Sequence, residues 1–303
     1  MRFSYWPAPA RTWEEIRDIA AHCEQTGWDG IYFADHFMPN GPGPEPLDGP
    51  ILECWSVLSA LAVAVPRVRL APLVTSVTYR HPALLAKIAA ATDQISGGRL
   101  TLGIGAGWQE NEHASYGIAL GTVRERLDRF EEATQILRSM LDRPRTSFAG
   151  QYFQVAGAPN QPAPAQDRVP LLIGGAGERR MLRIVARYAD HWNAWTTPEL
   201  LAHKMSVLRA HCEAVGRDPS EIHVSTQAIT YLSTDEEWLK DKREPQSRRP
   251  LIAGTPGEVA AIVARYQEAG ADELIIPDFT LAPVERVKDT CDLFMQEVAP
   301  GFR

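Results

Sequence analysis

Four cysteines, at positions 23, 54, 212 and 291, are all the chain has, and no two of them form a CxxC pair. That scatter excludes a zinc ribbon or a thioredoxin-type motif. Cys23 and Cys291 fall on the apolar faces of expected helices and read as small buried hydrophobes. Lysine is rare, with five among 31 basic residues. Net charge is −7 and the pI lies near 5.7, which argues against a general nucleic-acid or anionic-membrane surface. No apolar run approaches the roughly 18 residues of a membrane span; the best, 57–65, stops at Pro66. No signal-peptide pattern precedes the strand-like Arg2-Phe3-Ser4-Tyr5-Trp6. A soluble, cytoplasmic protein with a small-molecule substrate is expected. HExxH and GxSxG are missing, and His113, His191, His203, His211 and His223 have no metal-ligand spacing, so no metal is expected.

What is present is strand followed by helix, repeated. With 303 residues, 45% of them hydrophobic, the chain has enough apolar surface for a sizeable core. Thr12 and Glu15 form a capping box ahead of Trp13, Ile16, Ile19 and Cys23 at helical spacing, and Gly27 ends that helix. Gly30-Ile31-Tyr32-Phe33-Ala34 is a continuous apolar run, as buried parallel strands are. Further strands are expected at 69–77, 100–105, 170–174, 191–195, 222–232 and 273–277. Helices are expected near 52–65, 82–96, 123–142, 178–189, 198–216, 256–269 and 283–298. Counting 3–6 and 30–34, the pattern gives eight strands and eight helices. An α/β fold of the (β/α)8 TIM-like barrel type, one domain over 1–303, satisfies that count without sheet edges; a doubly wound open sheet is the alternative. Insertions at 38–50, at 144–169 with a hairpin over 148–155, and at 234–254, charged and expected to be mobile, would lie on the C-terminal face.

Barrel chemistry gathers at the C-terminal ends of strands. Those ends carry Trp6, Asp35-His36, Thr75-Ser76-Val77-Thr78, a glycine run over 103–107 followed by Trp108, the run Gly174, Gly175, Ala176 and Gly177, then Trp195, Gln227 and Asp278. Neither glycine run is a dinucleotide fingerprint, because Trp108 and Arg180 stand where the third glycine belongs. The run at 174–177 leads into a helix expected near Glu178, with Arg179 and Arg180 beside it. It reads either as a phosphate cradle or as a tight turn. The run at 103–107 suits a flat ring close to backbone, or a barrel corner. His36 is a candidate proton donor or acceptor. Asp35, on the opposite side of the strand, need not form a dyad with it. His81, before Pro82, reads as the start of a helix.

Taken in order, several segments resemble the luciferase-like, deazaflavin-dependent oxidoreductases. They are Ala34-Asp35-His36-Phe37, Glu53-Cys54-Trp55, Ser76-Val77-Thr78-Tyr79-Arg80-His81-Pro82, Ser96-Gly97-Gly98-Arg99-Leu100, Leu102-Gly103-Ile104-Gly105-Ala106-Gly107-Trp108, Pro170-Leu171-Leu172-Ile173-Gly174-Gly175 and Ala253-Gly254-Thr255-Pro256. The resemblance spans nearly the whole chain. It implies a TIM-like barrel, a homodimer, coenzyme F420 and a hydride exchanged with a small organic substrate. It also implies a non-prolyl cis bond at Ser76-Val77 behind the cofactor ring. The cofactor contacts it implies are Asp35, Ser76, Val77, Gly105, Ala106, Gly107, Trp108, Gly174, Gly175, Ala176 and Gly177, with His36 as the catalytic group.

Departures from the sugar-phosphate branch argue against a glucose-6-phosphate-type activity. Asn40 replaces an aromatic residue, Trp108 stands where that branch has a glutamate, and no lysine closely follows the sixth strand. Glu110 and Glu112 either stand in for that glutamate or belong to an exposed helix face. The rival readings are an FMN-dependent luciferase-like monooxygenase, a cofactor-free barrel isomerase or aldolase, and a non-catalytic relative that keeps the cofactor pocket. None of the five lysines stands at a strand end, which weighs against the cofactor-free enzyme. Trp6, Trp108, Trp195 and Phe37 suggest a flat or hydrophobic substrate.

Overall fold

A computed structural model describes residues 1–244, 247–279 and 282–303. The chain is α/β and of the (β/α)8 TIM-barrel class, with parallel strands alternating with helices. It divides into two compact units, one made of Met1–Tyr32, Gly175–Arg187 and His191–Arg303, the other of Phe33–Gly174 and Tyr188–Asp190.

In the first unit Arg2–Trp6 pairs in parallel with both Gly30–Phe33 and Glu273–Pro277. Glu273–Pro277 pairs on with His223–Gln227, and that strand with His191–Trp195. The helix Trp13–Thr26 starts where expected: Thr12 and Glu15 form the capping box, Ile16, Ile19, Ala20 and Cys23 are buried, and Gly27 closes the helix in the left-handed region. Thr197 and Thr255 cap Pro198–Val215 and Pro256–Glu268, each with proline in the first turn. Phe3 packs edge-on against Phe294 at 5.0 Å. The strand expected over 222–232 is two strands, His223–Gln227 and Ile229–Leu232. The second leaves the main sheet and pairs with Leu251–Gly254. The stretch expected to be mobile therefore carries that strand and the short helix Glu236–Lys240; its residues 245 and 246 lie outside the described ones.

In the second unit Thr75–Ser76 pairs with Leu102–Gly105, which pairs with Leu171–Gly174, all in parallel. The strand expected over 69–77 is broken into Arg69–Pro72 and Thr75–Ser76. The non-prolyl cis bond lies in that gap, at Leu73-Val74, and not at Ser76-Val77. Glycine neighbours explain the position. A Cβ on Gly103, Gly105 or Gly174 would meet a Val74 methyl at 3.2, 2.7 or 3.0 Å, so the three bare backbones make the space that Val74 fills. The hairpin is wider than expected, Arg145–Ala149 against Gln154–Pro159. His81 caps Pro82–Ser96 by accepting from the Ala83 amide. A short helix, Glu110–Ser115, follows Trp108 and has no counterpart in the expected pattern. All four cysteines are buried and free. Among the described residues no helix is long and apolar enough to cross a membrane.

Candidate active site

The strand Gly30–Phe33 delivers Asp35 and His36 just past its C-terminal end, and the two side chains part company. Asp35 is buried and accepts twice from Arg80, at 2.6 and 3.3 Å; Arg80 also reaches Glu53 at 2.6 Å. Burial pushes the Asp35 carboxyl above its ordinary value, and the Arg80 charge and hydrogen bonds offset this only in part. Asp35 thus anchors the segment through Arg80. His36 turns to a different acid.

That acid is Glu112, wholly buried on the short helix Glu110–Ser115. Its Oε1 lies 2.8 Å from His36 Nδ1, its Oε2 accepts from the Phe37 amide at 2.8 Å, and the Tyr79 hydroxyl donates to Oε1. Burial raises the Glu112 carboxyl, but the hydrogen bonds from His36, Tyr79 and Phe37 with the His36 charge outweigh it and hold the group below its ordinary value. Glu112 is therefore an anion at neutral pH. A carboxylate only accepts, so the proton of a neutral His36 ring sits on Nδ1. Nε2 is then a lone-pair acceptor, and it makes no hydrogen bond among the described residues. Trp108, 54% exposed, meets the His36 ring edge-on at 5.5 Å.

Ser76 is oriented by a second chain of hydrogen bonds. Burial keeps His113 below the ordinary imidazole value, so its ring is neutral. Nδ1 donates to the Gln109 carbonyl at 2.6 Å, and Nε2 must then accept from the Thr78 hydroxyl at 2.7 Å. The Ser76 hydroxyl accordingly donates to Thr78 Oγ1 at 2.6 Å. Gly107, with φ +85°, lies against this pair, and a Cβ there would sit 2.5 Å from Ser76 Oγ. Val77 is buried and its amide donates to the Gly105 carbonyl at 3.0 Å. The second unit thus gathers His36, Ser76, Val77, Gly105, Ala106, Gly107 and Trp108 on adjoining segments, with Asp35 behind them.

The sequence model of luciferase-like monooxygenases matches residues 1–249. The chain belongs to that family. The F420-dependent glucose-6-phosphate dehydrogenase of Nakamurella multipartita is 27% identical over 305 residues, covering 95% of this chain and 87% of that protein. Two solved structures share the fold at a TM-score of 0.85. The coenzyme F420-dependent tetrahydromethanopterin reductase of Methanopyrus kandleri is 18% identical and matches over 100% of this chain and 99% of that one. An F420-dependent secondary alcohol dehydrogenase in complex with an F420-acetone adduct is 20% identical, with 100% of this chain and 99% of that one covered.

The other glycine run of this luciferase-like chain falls at the division between the units. Gly174 faces Val74. Gly175, φ +134°, spends its amide on the Asn193 carbonyl at 2.9 Å. The amides of Ala176 and Gly177 have no hydrogen-bond acceptor among the described residues. The helix they lead to starts at Met181 and not near Glu178, and residues 178–180 form a turn. Glu178 is drawn away to Lys204 and His203, at 2.6 and 3.0 Å. Of the strand-end aromatics, Trp6 and Trp195 lie together, 6.1 Å apart, with Phe279 5.1 Å from Trp6. Phe37 packs instead on Tyr79 and Tyr116, at 4.5 and 5.0 Å.

Tyr79, Arg80 and His113 are the site residues that the sequence pattern left without a role, and Glu112 entered only beside Glu110, as a stand-in for a glutamate or part of an exposed helix face. One signal for Glu112 was available. Acids two apart on a helix point about 200° apart, so Glu110 and Glu112 could not both be solvent-facing beside a strand end.

Proposed function

We propose that this chain is an F420-dependent oxidoreductase, one luciferase-like domain over residues 1–303. It exchanges a hydride between F420 and a small organic alcohol or carbonyl compound, and His36 moves the accompanying proton. The cofactor reading is supported by the relative named for F420 dependence, which aligns along nearly the whole chain. The observation that carries the proton role is the hydrogen bond of His36 Nδ1 to the buried Glu112 carboxylate, which leaves Nε2 without a partner among the described residues.

The residues fit the cofactor. Gly107 leaves bare backbone where a Cβ would strike Ser76, Trp108 is half exposed beside His36, and Ala176 and Gly177 keep two amides for an anion. Ser76, Val77, Gly105, Ala106, Gly107 and Trp108 would hold the ring in the second unit, with Asp35 and Arg80 fixing the segment behind it. Taken by itself, the turn of Gly175, Ala176, Gly177 and the exposed Arg179 suits an anion such as phosphate. When bound, F420 supplies a two-electron hydride acceptor or donor at carbon, and the proton is the protein's task. His36 Nε2 takes the hydroxyl proton as an alcohol is oxidised and returns it as a carbonyl is reduced. Glu112 fixes the tautomer and stabilises the imidazolium formed in between.

The substrate class is read from the first unit. The Arg249 guanidinium lies over the rings of Trp195 and Phe279, 5.2 and 4.6 Å from their centroids, and has no carboxylate partner among the described residues. Burial lowers its pKa. Nearby, the buried Trp6 Nε1 has no hydrogen-bond partner among the described residues. An unpaired cation and an unpaired donor among aromatic rings suit a substrate with an anionic group on a flat or apolar body. The resemblance also carries a homodimer, which sedimentation velocity on the purified protein tests.

The reaction itself is tested anaerobically by mixing the protein with oxidised F420 and a panel of alcohols, with and without a carboxylate or phosphate group. Loss of the oxidised F420 absorbance, fastest with the anionic members, is expected. Binding of F420 without turnover of any alcohol in the panel, or of the matching carbonyl compounds with reduced F420, would leave a cofactor-binding relative in place of an enzyme.

A further inference from the structure

We propose that His191, His223 and Glu273 form a zinc site. The three are the first residues of three neighbouring parallel strands, His191–Trp195, His223–Gln227 and Glu273–Pro277. His191 and His223 are direct partners in register, and Glu273 faces Ser225 one pleat further along. The cluster therefore lies at the N-terminal ends of these strands, the end opposite to the one where barrel enzymes place their chemistry. Along the sequence the three are 32 and 50 residues apart, a spacing no linear metal motif contains.

Their ligand atoms, two imidazole nitrogens and a carboxylate oxygen, all lie within 4.8 Å of one another. A tetrahedral shell with bonds of about 2.0–2.1 Å separates its ligands by roughly 3.3–3.4 Å, so small side-chain rotations bring the three onto one ion, with water as the fourth ligand. Two imidazoles with one carboxylate is a borderline donor set that suits zinc. Glu273 and His191 are buried, and His223 is partly so. The ligands are also held from behind, as metal ligands are. Ser4 and Tyr32 hydroxyls donate to the Glu273 carboxylate. Ser225 Oγ lies 2.7 Å from His191 Nε2, and inside the cluster His223 Nε2 lies 2.9 Å from Glu273 Oε2, a contact the ion would replace. The two imidazoles meet edge-to-face with centroids 4.5 Å apart. At that distance two protonated rings would repel, whereas two neutral rings and one carboxylate can share a dication. Such an ion would tie three strands together at their N-terminal ends.

The site is tested with zinc alone and without F420, so the result is independent of the oxidoreductase reading. The protein is stripped with a chelator, dialysed, and titrated with Zn²⁺ and then with Co²⁺ as a spectroscopic substitute. The proposal expects about one equivalent of tightly held metal, a rise in Tm on zinc addition, and visible Co²⁺ bands of a low-coordinate nitrogen and oxygen set. Both His223→Gln and Glu273→Gln should abolish the bands and the Tm response. Absence of stoichiometric binding by the wild-type chain would overturn it, even if neither variant folds. So would binding that persists unchanged in a folded variant, because the metal would then sit on other groups.

Discussion

His36 and Glu112 stand 76 positions apart in the chain, and their side chains meet at 2.8 Å. The contact joins a loop after one strand to a short helix after another, within one compact unit. Because the acid is buried and ionised, it fixes which ring nitrogen carries the proton. The proton-transfer proposal rests on that tautomer.

His36→Ala should therefore keep F420 affinity and lose turnover by about 10²–10⁴, the usual range for a general acid or base. Affinity by fluorescence titration and single-turnover rates, measured on the same preparation, separate the two effects. An unchanged rate would remove His36 from the chemistry.

Glu112→Gln carries a pH signature. The Glu112 carboxyl is depressed in the folded chain, so its ionisation stabilises the fold above the ordinary glutamate range of about 4.3, and this contribution is lost as pH falls through the lower folded value. Wild type should melt above Glu112→Gln near neutrality, and the gap should close as pH drops below that range. Thermal melts from neutral pH down into the acid range check the sign.

Much of this was legible in the sequence, and the exceptions have physical causes. Helix starts followed from local chemistry, as Thr12 with Glu15 and the Thr197 and Thr255 caps show. Buried parallel strands followed from continuous apolar runs. The break at Leu73-Val74 did not, because Arg69 to Val77 reads as one apolar strand; it depends on Gly103, Gly105 and Gly174, which come from two other strands. The pairing of Glu112 with His36 was equally hidden, since whether a helical acid faces water or a histidine is decided by tertiary placement. The turn at 178–180 delayed a helix whose first residues, Glu178 and the two arginines, read locally as helix formers.

Arg80→Ala should be among the most destabilising changes in the second unit. It strips the buried Asp35 carboxylate of its bidentate partner, and breaking a buried pair from one side costs about 3–5 kcal/mol. Urea unfolding measures it, and adding Asp35→Asn should recover part of the loss.

Gly107→Ala tests the close approach beside Ser76. The added Cβ would sit 2.5 Å from Ser76 Oγ at a φ of +85°. F420 affinity should fall by about tenfold or more, equivalent to ~1.4 kcal/mol, through displacement of Ser76. Calorimetric titration on the folded variant reads it out; wild-type affinity would mean that this backbone does not face the cofactor.

The most direct measurement is an equilibrium titration of the purified chain with F420 and, separately, with FMN, followed through tryptophan fluorescence, since Trp108 stands beside His36. Saturable quenching by F420, with FMN at least about tenfold weaker, is the predicted result. Tighter binding of FMN would make the chain a flavin-dependent member of the same family, and saturation by neither would contradict the cofactor assignment outright.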